Sequence, residues 1–351
     1  TMTGRGFESR ITTDNDMLFG DSSCVSCGAC AQTCPTSAIS DVFQSKSIEA
    51  DKTVRTTCSY CGVGCNLEVA VKSDEVLSIR APQDAVNAGH TCLKGRYAFK
   101  FYNHEDRLTS PLIRKNGELT PCSWDEALDF IKDKFESIKA DHGSDAIAGI
   151  SSARCTNEEN YMFQKMIRQL VGTNNIDCCA RVCHSPTAWG MQQSFGTGAG
   201  TNSTADIPLA DLLLVIGANP TSAHPVTGAK IKQQAMSGAT LVVIDPVRTE
   251  LARMADHHLQ LKPGTNVAVL NMIQYYIVEA GLVDHQFIQD RCEGGEEFLE
   301  QIMKLDVDAM AEISGLDKED VKAVALAYAK ANNAMEFHGL GVTEHSQGTK
   351  T

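Results

Sequence analysis

The sequence predicts an α/β protein: a parallel sheet flanked by helices, preceded by a small β-rich unit and by a cysteine-rich N-terminal segment. Three observations carry this reading. From about residue 123 onward, apolar runs that end in Gly, Asn, Asp or Pro (DLLLVIGANP, TLVVIDPVRTE, LQLKPGTN) alternate with helical patterns, as parallel strands and their crossover helices do. Residues 66–81, NLEVAVKSDEVLSIRA, read as two short alternating strands with a turn at 72–74. Eight of the 14 cysteines fall in two tight groups, CVSCGACAQTC and CSYCGVGC followed by CLKG.

A chain of 351 residues has room for two or three domains and buries about three quarters of its unfolded surface on folding. Hydrophobic residues at 42% and charged residues at 21% are those of a globular protein. No stretch approaches the roughly 18 uninterrupted apolar residues of a membrane span. A formal charge of −13 and the lack of any basic run argue against a nucleic-acid or anionic-membrane surface, which needs clustered Lys and Arg. Cysteines in metal-ligand spacings point to a reducing compartment rather than to a disulfide scaffold. Neither a signal peptide nor a twin-Arg leader is visible, and the chain opens on Thr1 rather than Met; the expected location is cytoplasmic.

In residues 1–50, Cys24, Cys27, Cys30 and Cys34, followed by Pro35, have the spacing of a bacterial ferredoxin run. In such a run three cysteines bind one [4Fe–4S] cluster and the fourth reaches a second. No second run of this kind occurs. Either Cys34 closes its own cluster in an unusual way, or the companion motif belonged to a lost N-terminal portion, which is the expectation adopted. In residues 51–110, Cys58, Cys61 and Cys65 lie within eight residues with Gly62 and Gly64 between them. A tight turn can aim these three thiolates at one object while Cys92 closes the fourth corner. Four thiolates hold a [4Fe–4S] cluster or a structural zinc, but zinc sites usually pair two CxxC knuckles, so this spacing favours iron–sulfur. Lys94, directly after a ligand, reads by itself as a solvated cation that offsets cluster charge.

Residues 111–178 read as part of an α/β domain. Ser123 caps an amphipathic helix with acidic residues in its first turn, DAIAGIS is a buried strand, and ENYMFQKMIRQLVG is a helix ending at Gly172. In residues 179–351 a doubly wound sheet would present its ligands at the carboxyl ends of its strands. The Gly217 turn allows close backbone approach, Asn219 and Asp245 offer an amide and a carboxylate to a base or ribose, and Arg248 is suited to a diphosphate. Asp245 also reads as a helix cap before PVRTE. FGTGAG at 195–200 does not match GxGxxG and reads as a flexible loop. In NNIDCCARVCHSP, residues 174–186, Cys183 beside His184 is a candidate nucleophile or metal ligand, or else a buried thiol with a neighbouring imidazole. The last helix, KEDVKAVALAYAKA, leads to AMEFHGLGVTEHSQGT, a strand with a Gly-rich end.

CSYCGVGC with CLKG resembles the start of the molybdenum and tungsten oxidoreductases that bind a bis-molybdopterin guanine dinucleotide cofactor (bis-MGD). NNIDCCARVCHSP resembles the formate dehydrogenase loop in which Cys or selenocysteine binds the metal and His follows. GRGFESRI is similar to the linker between paired ferredoxin motifs in large electron-input subunits, including NAD-linked formate dehydrogenases and the large iron–sulfur subunit of respiratory complex I. The resemblance implies the molybdopterin oxidoreductase fold: a Rossmann-like parallel-sheet domain, a small β-rich [4Fe–4S] domain and a ferredoxin-like N-terminal segment. It implies Cys58, Cys61, Cys65 and Cys92 as cluster ligands, Lys94 as an electron relay, Cys183 as the ligand to Mo or W, and His184 as a residue handling the formate proton. Gly217, Asn219, Asp245, Arg248, Pro263, Gly264 and Asn266 carry over as guanine-dinucleotide contacts, although Asn266 stands where relatives often have an acidic residue. Gly341, Thr343, His345 and Gln347 carry over as neighbours of metal and pterin. Cys178 and Cys179 match the loop and receive no role.

The implied reaction is oxidation of formate to CO2, or its reverse. Electrons would pass by way of the Cys58 and Cys24 clusters to a flavin and iron–sulfur partner that reduces NAD, or to a ferredoxin or hydrogenase. The formate-binding Arg and the second-pterin domain are expected beyond residue 351, which makes the chain an expected internal fragment of a larger subunit. Two rival readings remain: another bis-MGD reaction such as nitrate reduction, and a non-catalytic conduit of the complex I type. Nitrate reductases of the periplasmic type lack this Cys–His pair, and a conduit has no need of one.

Overall fold

A computed structural model describes residues 2–13, 16, 18, 24–42, 49–102 and 104–351, so parts of the N-terminal cysteine-rich segment lie outside the described residues. The chain forms two compact units, residues 1–147 with 171–173, and residues 148–170 with 174–351.

The first unit opens with a short antiparallel pair, β1 (Met2–Thr3) and β2 (Arg10–Ile11). Helix α1 (Ala29–Thr33) starts after Gly28, whose φ of 72° places it in the left-handed region. Strands β3 (Lys52–Thr57), β4 (Asn66–Lys72) and β5 (Glu75–Arg80) form an antiparallel sheet in that order. The expected turn between β4 and β5 is made by Ser73 and Asp74 at φ 47° and 66°. Two left-handed residues in a row make a hairpin turn that follows the natural twist of the strands. The sequence reading did not include β3, because KTVRTT is exposed at every position and is held only by its pairing with β4. Helix α2 (Leu93–Tyr97) has Cys92 as its N-cap and packs on β5. A hairpin, β6 (Leu112–Lys115) and β7 (Glu118–Pro121), leads to α3 (Trp124–His142). As expected, the Ser123 hydroxyl caps α3 by accepting from the Glu126 amide at 3.1 Å, and Gly143 at φ 83° ends it.

In the second unit β8 (Gly149–Ser151) pairs in parallel with β9 (Ile176–Cys178). The chain between them carries α4 (Asn157–Lys165), which passes into a π-helical stretch, residues 166–171, and stops at Gly172 with φ 86°. After β9 come α5 (Ala180–Cys183) and α6 (Ser185–Phe195). The main sheet is built from β10 (Leu212–Ile216), β11 (Thr240–Ile244), β12 (His257–Leu259) and β13 (Ala334–His338). All pair in parallel, in the order β12–β11–β10–β13. Between β10 and β11 lie α7 (Pro220–Ala223) and α8 (Pro225–Met236), and α9 (Glu250–Met254) precedes β12. Helices α10 (Asn266–Glu279), α11 (His285–Arg291), α12 (Gly295–Ile302), α13 (Val307–Ser314) and α14 (Lys318–Lys330) separate β12 from β13, and α15 (Leu340–Thr343) follows it.

Both faces of this sheet are covered, which explains its unbroken apolar strands. Leu212, Leu214, Ile216, Val242 and Ile244 pack against Val269 and Met272 of α10 and Val321 and Val324 of α14. On the other face Leu213, Val215, Leu241 and Val243 pack against Ile231 of α8 and Leu251 of α9. Each such side chain contributes about 1.5–3 kcal/mol by leaving water. The result is a rigid platform whose strands all end, at their carboxyl edge, in the loops that carry the predicted site residues. Among the described residues no helix is long and apolar enough to cross a membrane.

Candidate cluster and cofactor sites

The register of β3 on β4 ends at Thr57 opposite Asn66, so residues 58–65 form the loop that joins the two strands. Three of the predicted ligands sit in that loop. The Cys58 amide donates to the Cys65 carbonyl at 2.8 Å and closes it, and Gly64, at φ 65°, donates to the Cys61 carbonyl at 3.4 Å. Cys92 arrives from the far side at the start of α2. The loop that brings it is clasped by Asn87, which is fully buried. Its Oδ1 accepts from the Asn66 amide at 2.9 Å, and its Nδ2 donates to the Asn66 and His90 carbonyls at 3.1 and 2.6 Å. Cys58, Cys61, Cys65 and Cys92 thereby stand within electrostatic reach of one another. Burial, and then its three companions, pushes the Cys65 thiol up to about 11; burial, with Cys92 and Cys61 adding, also raises Cys58. Lys94 is exposed on the first turn of α2.

In the N-terminal group Cys27 is half-buried just before α1, Cys30 lies on α1, and Cys34 caps its end. Cys34 is pulled down to about 7, chiefly by the Ile39 amide at 3.5 Å and then by the Thr36 hydroxyl. Among the described residues no three His, Cys, Asp or Glu side chains converge as they would on a single metal ion.

In the second unit the loops after β10 and β13 touch backbone to backbone. Gly217, at φ 56°, has no room for a Cβ: the nearest atoms would be the Gly341 carbonyl carbon at 2.7 Å and its Cα at 2.8 Å. The Gly341 amide donates to the Gly217 carbonyl at 3.0 Å, and Gly217 in turn donates to Ile244 at 3.0 Å. Asn266, buried at the start of α10, joins the same edge: its Nδ2 donates to the Gly341 carbonyl at 2.7 Å and lies 3.2 Å from His345 Nε2. Among the described residues Asn266 Oδ1 and Thr343 Oγ1 are buried without a hydrogen-bond partner. The Asp245 carboxylate accepts from the Val247 amide at 2.8 Å in a local turn. The alternative of Asp245 as a helix cap is superseded, because Thr249 caps α9 by accepting from Ala252 at 3.2 Å. Asn219, Arg248, Pro263, Gly264 and Gln347 are exposed on these loops.

Cys183 ends α5, and His184 forms the joint between α5 and α6 at φ −132°, ψ 4°. Partial burial, then Glu344 and Cys179, raises the Cys183 thiol. His224, at the joint between α7 and α8 on the chain that follows β10, is lowered by burial and by neighbouring His184. The pair therefore lies beside the loops that follow β10 and β13.

A family model described as Molybdopterin oxidoreductase matches residues 107–351, its Fe4S4-domain counterpart matches 51–104, and a 4Fe-4S binding domain matches 19–40. The chain belongs to the molybdopterin oxidoreductase family. The chain is 42% identical over 298 residues to the F420-dependent formate dehydrogenase 2 subunit alpha of Methanococcus maripaludis, a match covering 85% of this chain and 44% of that relative. It is 39% identical over 307 residues to formate dehydrogenase H of Escherichia coli, covering 86% and 43%. Among solved structures, acetylene hydratase from Pelobacter acetylenicus superposes with a TM-score of 0.71 at 27% identity, covering 83% of this chain and 40% of that one. The chain thus spans less than half the length of these curated relatives.

The cofactors of the family, a Mo- or W-carrying molybdopterin and [4Fe–4S] clusters, fit the residues present. The four-thiol group of the 58–92 region supplies the donor set of a cluster. At the sheet edge, the two buried polar atoms without partners, on Asn266 and Thr343, are what a polar ligand would satisfy. Sequence reasoning overlooked Asn87, Glu344 and His224, and it overlooked Arg96, two residues beyond Lys94. Their roles rest on contacts with distant backbone or on neighbours remote in sequence, and no periodicity marks them.

Proposed function

We propose that the protein is the catalytic subunit of a formate dehydrogenase, carrying out HCOO⁻ → CO2 + H⁺ + 2 e⁻ or its reverse. The observation that carries this reading is the Cys183–His184 pair beside the strand-end loops. A bound Mo or W pterin supplies the two-electron chemistry. Cys183 would provide a thiolate donor to that metal, and burial, then Glu344 and Cys179, raises its thiol in the metal-free protein. That is not the depressed pKa of a free cysteine nucleophile. His184 Nδ1 shares a hydrogen bond with Thr187 Oγ1 at 3.3 Å, which orients the ring and leaves Nε2 as the atom that handles the formate proton.

In this reading Gly217, Asn219, Asp245, Arg248, Pro263, Gly264 and Asn266 hold the guanine dinucleotide. Gly341, Thr343, His345 and Gln347 border metal and pterin. Lys94 relays electrons to the Cys58, Cys61, Cys65, Cys92 cluster, and a cluster at Cys24, Cys27, Cys30 and Cys34 passes them to a partner. The partner we favour is a flavin and iron–sulfur subunit that reduces NAD. The methanogen relative has F420 in its name, so F420-linked rather than NAD-linked turnover of the complex is the outcome that reassigns the acceptor.

The deciding experiment is Cys183→Ala in the full-length protein. Formate-dependent dye reduction should fall by more than the roughly 10–100-fold typical of losing an outer-shell partner, with iron content and cluster EPR signals unchanged. Retained turnover removes Cys183 from the reaction. A metal-loaded protein that reduces nitrate and ignores formate assigns the nitrate reaction instead, and iron–sulfur absorption without Mo, W or pterin assigns a conduit.

A further inference from the structure

The side chain of Arg96 joins the two cysteine groups. It is 1% exposed. Its Nε donates to the carbonyl of Cys27, in the N-terminal group, at 2.5 Å, and its Nη1 donates to the carbonyl of Ile79, on β5, at 3.2 Å. Among the described residues its Nη2 is buried with no hydrogen-bond partner. Arg96 rides on α2, whose N-cap is Cys92. The fit around it is close: a Cβ on Gly28 would overlap Arg96 Cδ and the Tyr97 hydroxyl. A second clasp runs alongside, where Gln32 of α1 donates to the Ala81 carbonyl at 2.7 Å and accepts from the Ala81 amide at 3.1 Å.

A guanidinium stays protonated in proteins even where burial opposes it. Charge in a low-dielectric surround acts far more strongly on its neighbours than charge in water. Buried, partly unmatched cations are costly to keep. A thiolate-ligated cluster carries net negative charge, so a loaded N-terminal site adds to the attraction that the Asp41 carboxylate already exerts on the guanidinium. Cluster potentials respond to local charge and hydrogen bonding.

We propose that Arg96 is a positioning residue for the N-terminal iron–sulfur site: it fixes Cys27 against the helix that begins at Cys92 and sets a permanent positive charge there, raising that cluster's reduction potential. This rests on the cluster assignments and not on the substrate, so failure of formate turnover leaves it standing. The test uses the full-length holoenzyme with Arg96→Gln and Arg96→Lys, in anaerobic EPR redox titrations with iron determined on the same samples. The N-terminal signal is identified by its loss in Cys27→Ser. R96Q with full iron should show the N-terminal cluster titrating at a lower potential, with a smaller shift at the Cys58 cluster, while R96K stays close to wild type. An unchanged potential in iron-replete R96Q overturns the proposal, as does a shift equal at both clusters. Should R96Q lose the N-terminal cluster, R96K decides: a retained cluster at wild-type potential supports the role of the charge, and a lost or down-shifted one refutes it.

Discussion

At Cys34 backbone geometry lowers a thiol in the way a nearby cation does elsewhere. The Ile39 amide is aimed at the sulfur, and the thiol falls to about 7, whereas Cys65, enclosed with three other thiols, rises to about 11. The thiolate is the nucleophile. In the metal-free protein, iodoacetamide should therefore modify Cys34 half-maximally near pH 7 and spare Cys65 until well above pH 9, read by peptide mass spectrometry across a pH series. Equal reactivity of the two would contradict the geometry. The two shifts have opposite consequences for the fold. The depressed Cys34 stabilises the metal-free chain above the ordinary thiol value of 9.0, and this fades as pH falls through about 7. The raised Cys65 favours the fold below 9.0 and is lost as pH climbs toward about 11. The cysteine spacings named these thiols as ligands, but spacing carries no information about which amides will face which sulfur.

Among the elements, α4 has the clearest local specification. Thr156 accepts from the Glu159 amide at 3.2 Å while Glu159 accepts from the Thr156 amide at 2.7 Å, a reciprocal capping box. Thr156→Ala should cost about 1–2 kcal/mol. The loss should appear as faster hydrogen exchange over residues 157–165, with the main sheet unaffected; unaltered exchange there would show the cap to be idle. Elements with their own chemistry were legible beforehand. The Ser123 cap, the apolar runs of β10 and β11, and a turn within 72–74 were all expected and are all present. Elements held by partners were not: β3 has every side chain in solvent, and β9 is three residues long with a charged Asp177 at its centre. The same contrast holds at the site. Three of the four thiols in the 58–92 group are close in sequence and therefore visible, whereas Arg96 meets Cys27 across 69 residues and Gln32 meets Ala81 across 49.

At the scale of the molecule, the two units differ in what holds them. The second has apolar clusters on both faces of a parallel sheet. Among the described residues the first has fewer buried apolar side chains, among them Leu67, Ile79, Ala81 and Ile113. Its cohesion rests on the four thiols and on clasps such as Asn87. Metal sites of this kind contribute folding energy directly. Calorimetry of the metal-free chain should show two transitions with the first unit melting first, and rebuilding the cluster at Cys58 should raise that transition alone. Hydrogen exchange would assign it, with peptides from 51–104 protected only in the loaded form. Equal protection of those peptides without iron would place the stability in the protein core instead.

Gly217 and Gly341 meet main chain to main chain, and the side chains of Asn266 and His345 reach the seam only at the Gly341 carbonyl. The separation of two strand tips is therefore a constant of the scaffold, indifferent to what decorates the surrounding rim. An engineer may recolour that rim at positions such as Ser222 or Ser346 without altering the pitch of the platform, whereas a single methyl group at either glycine would pry it open.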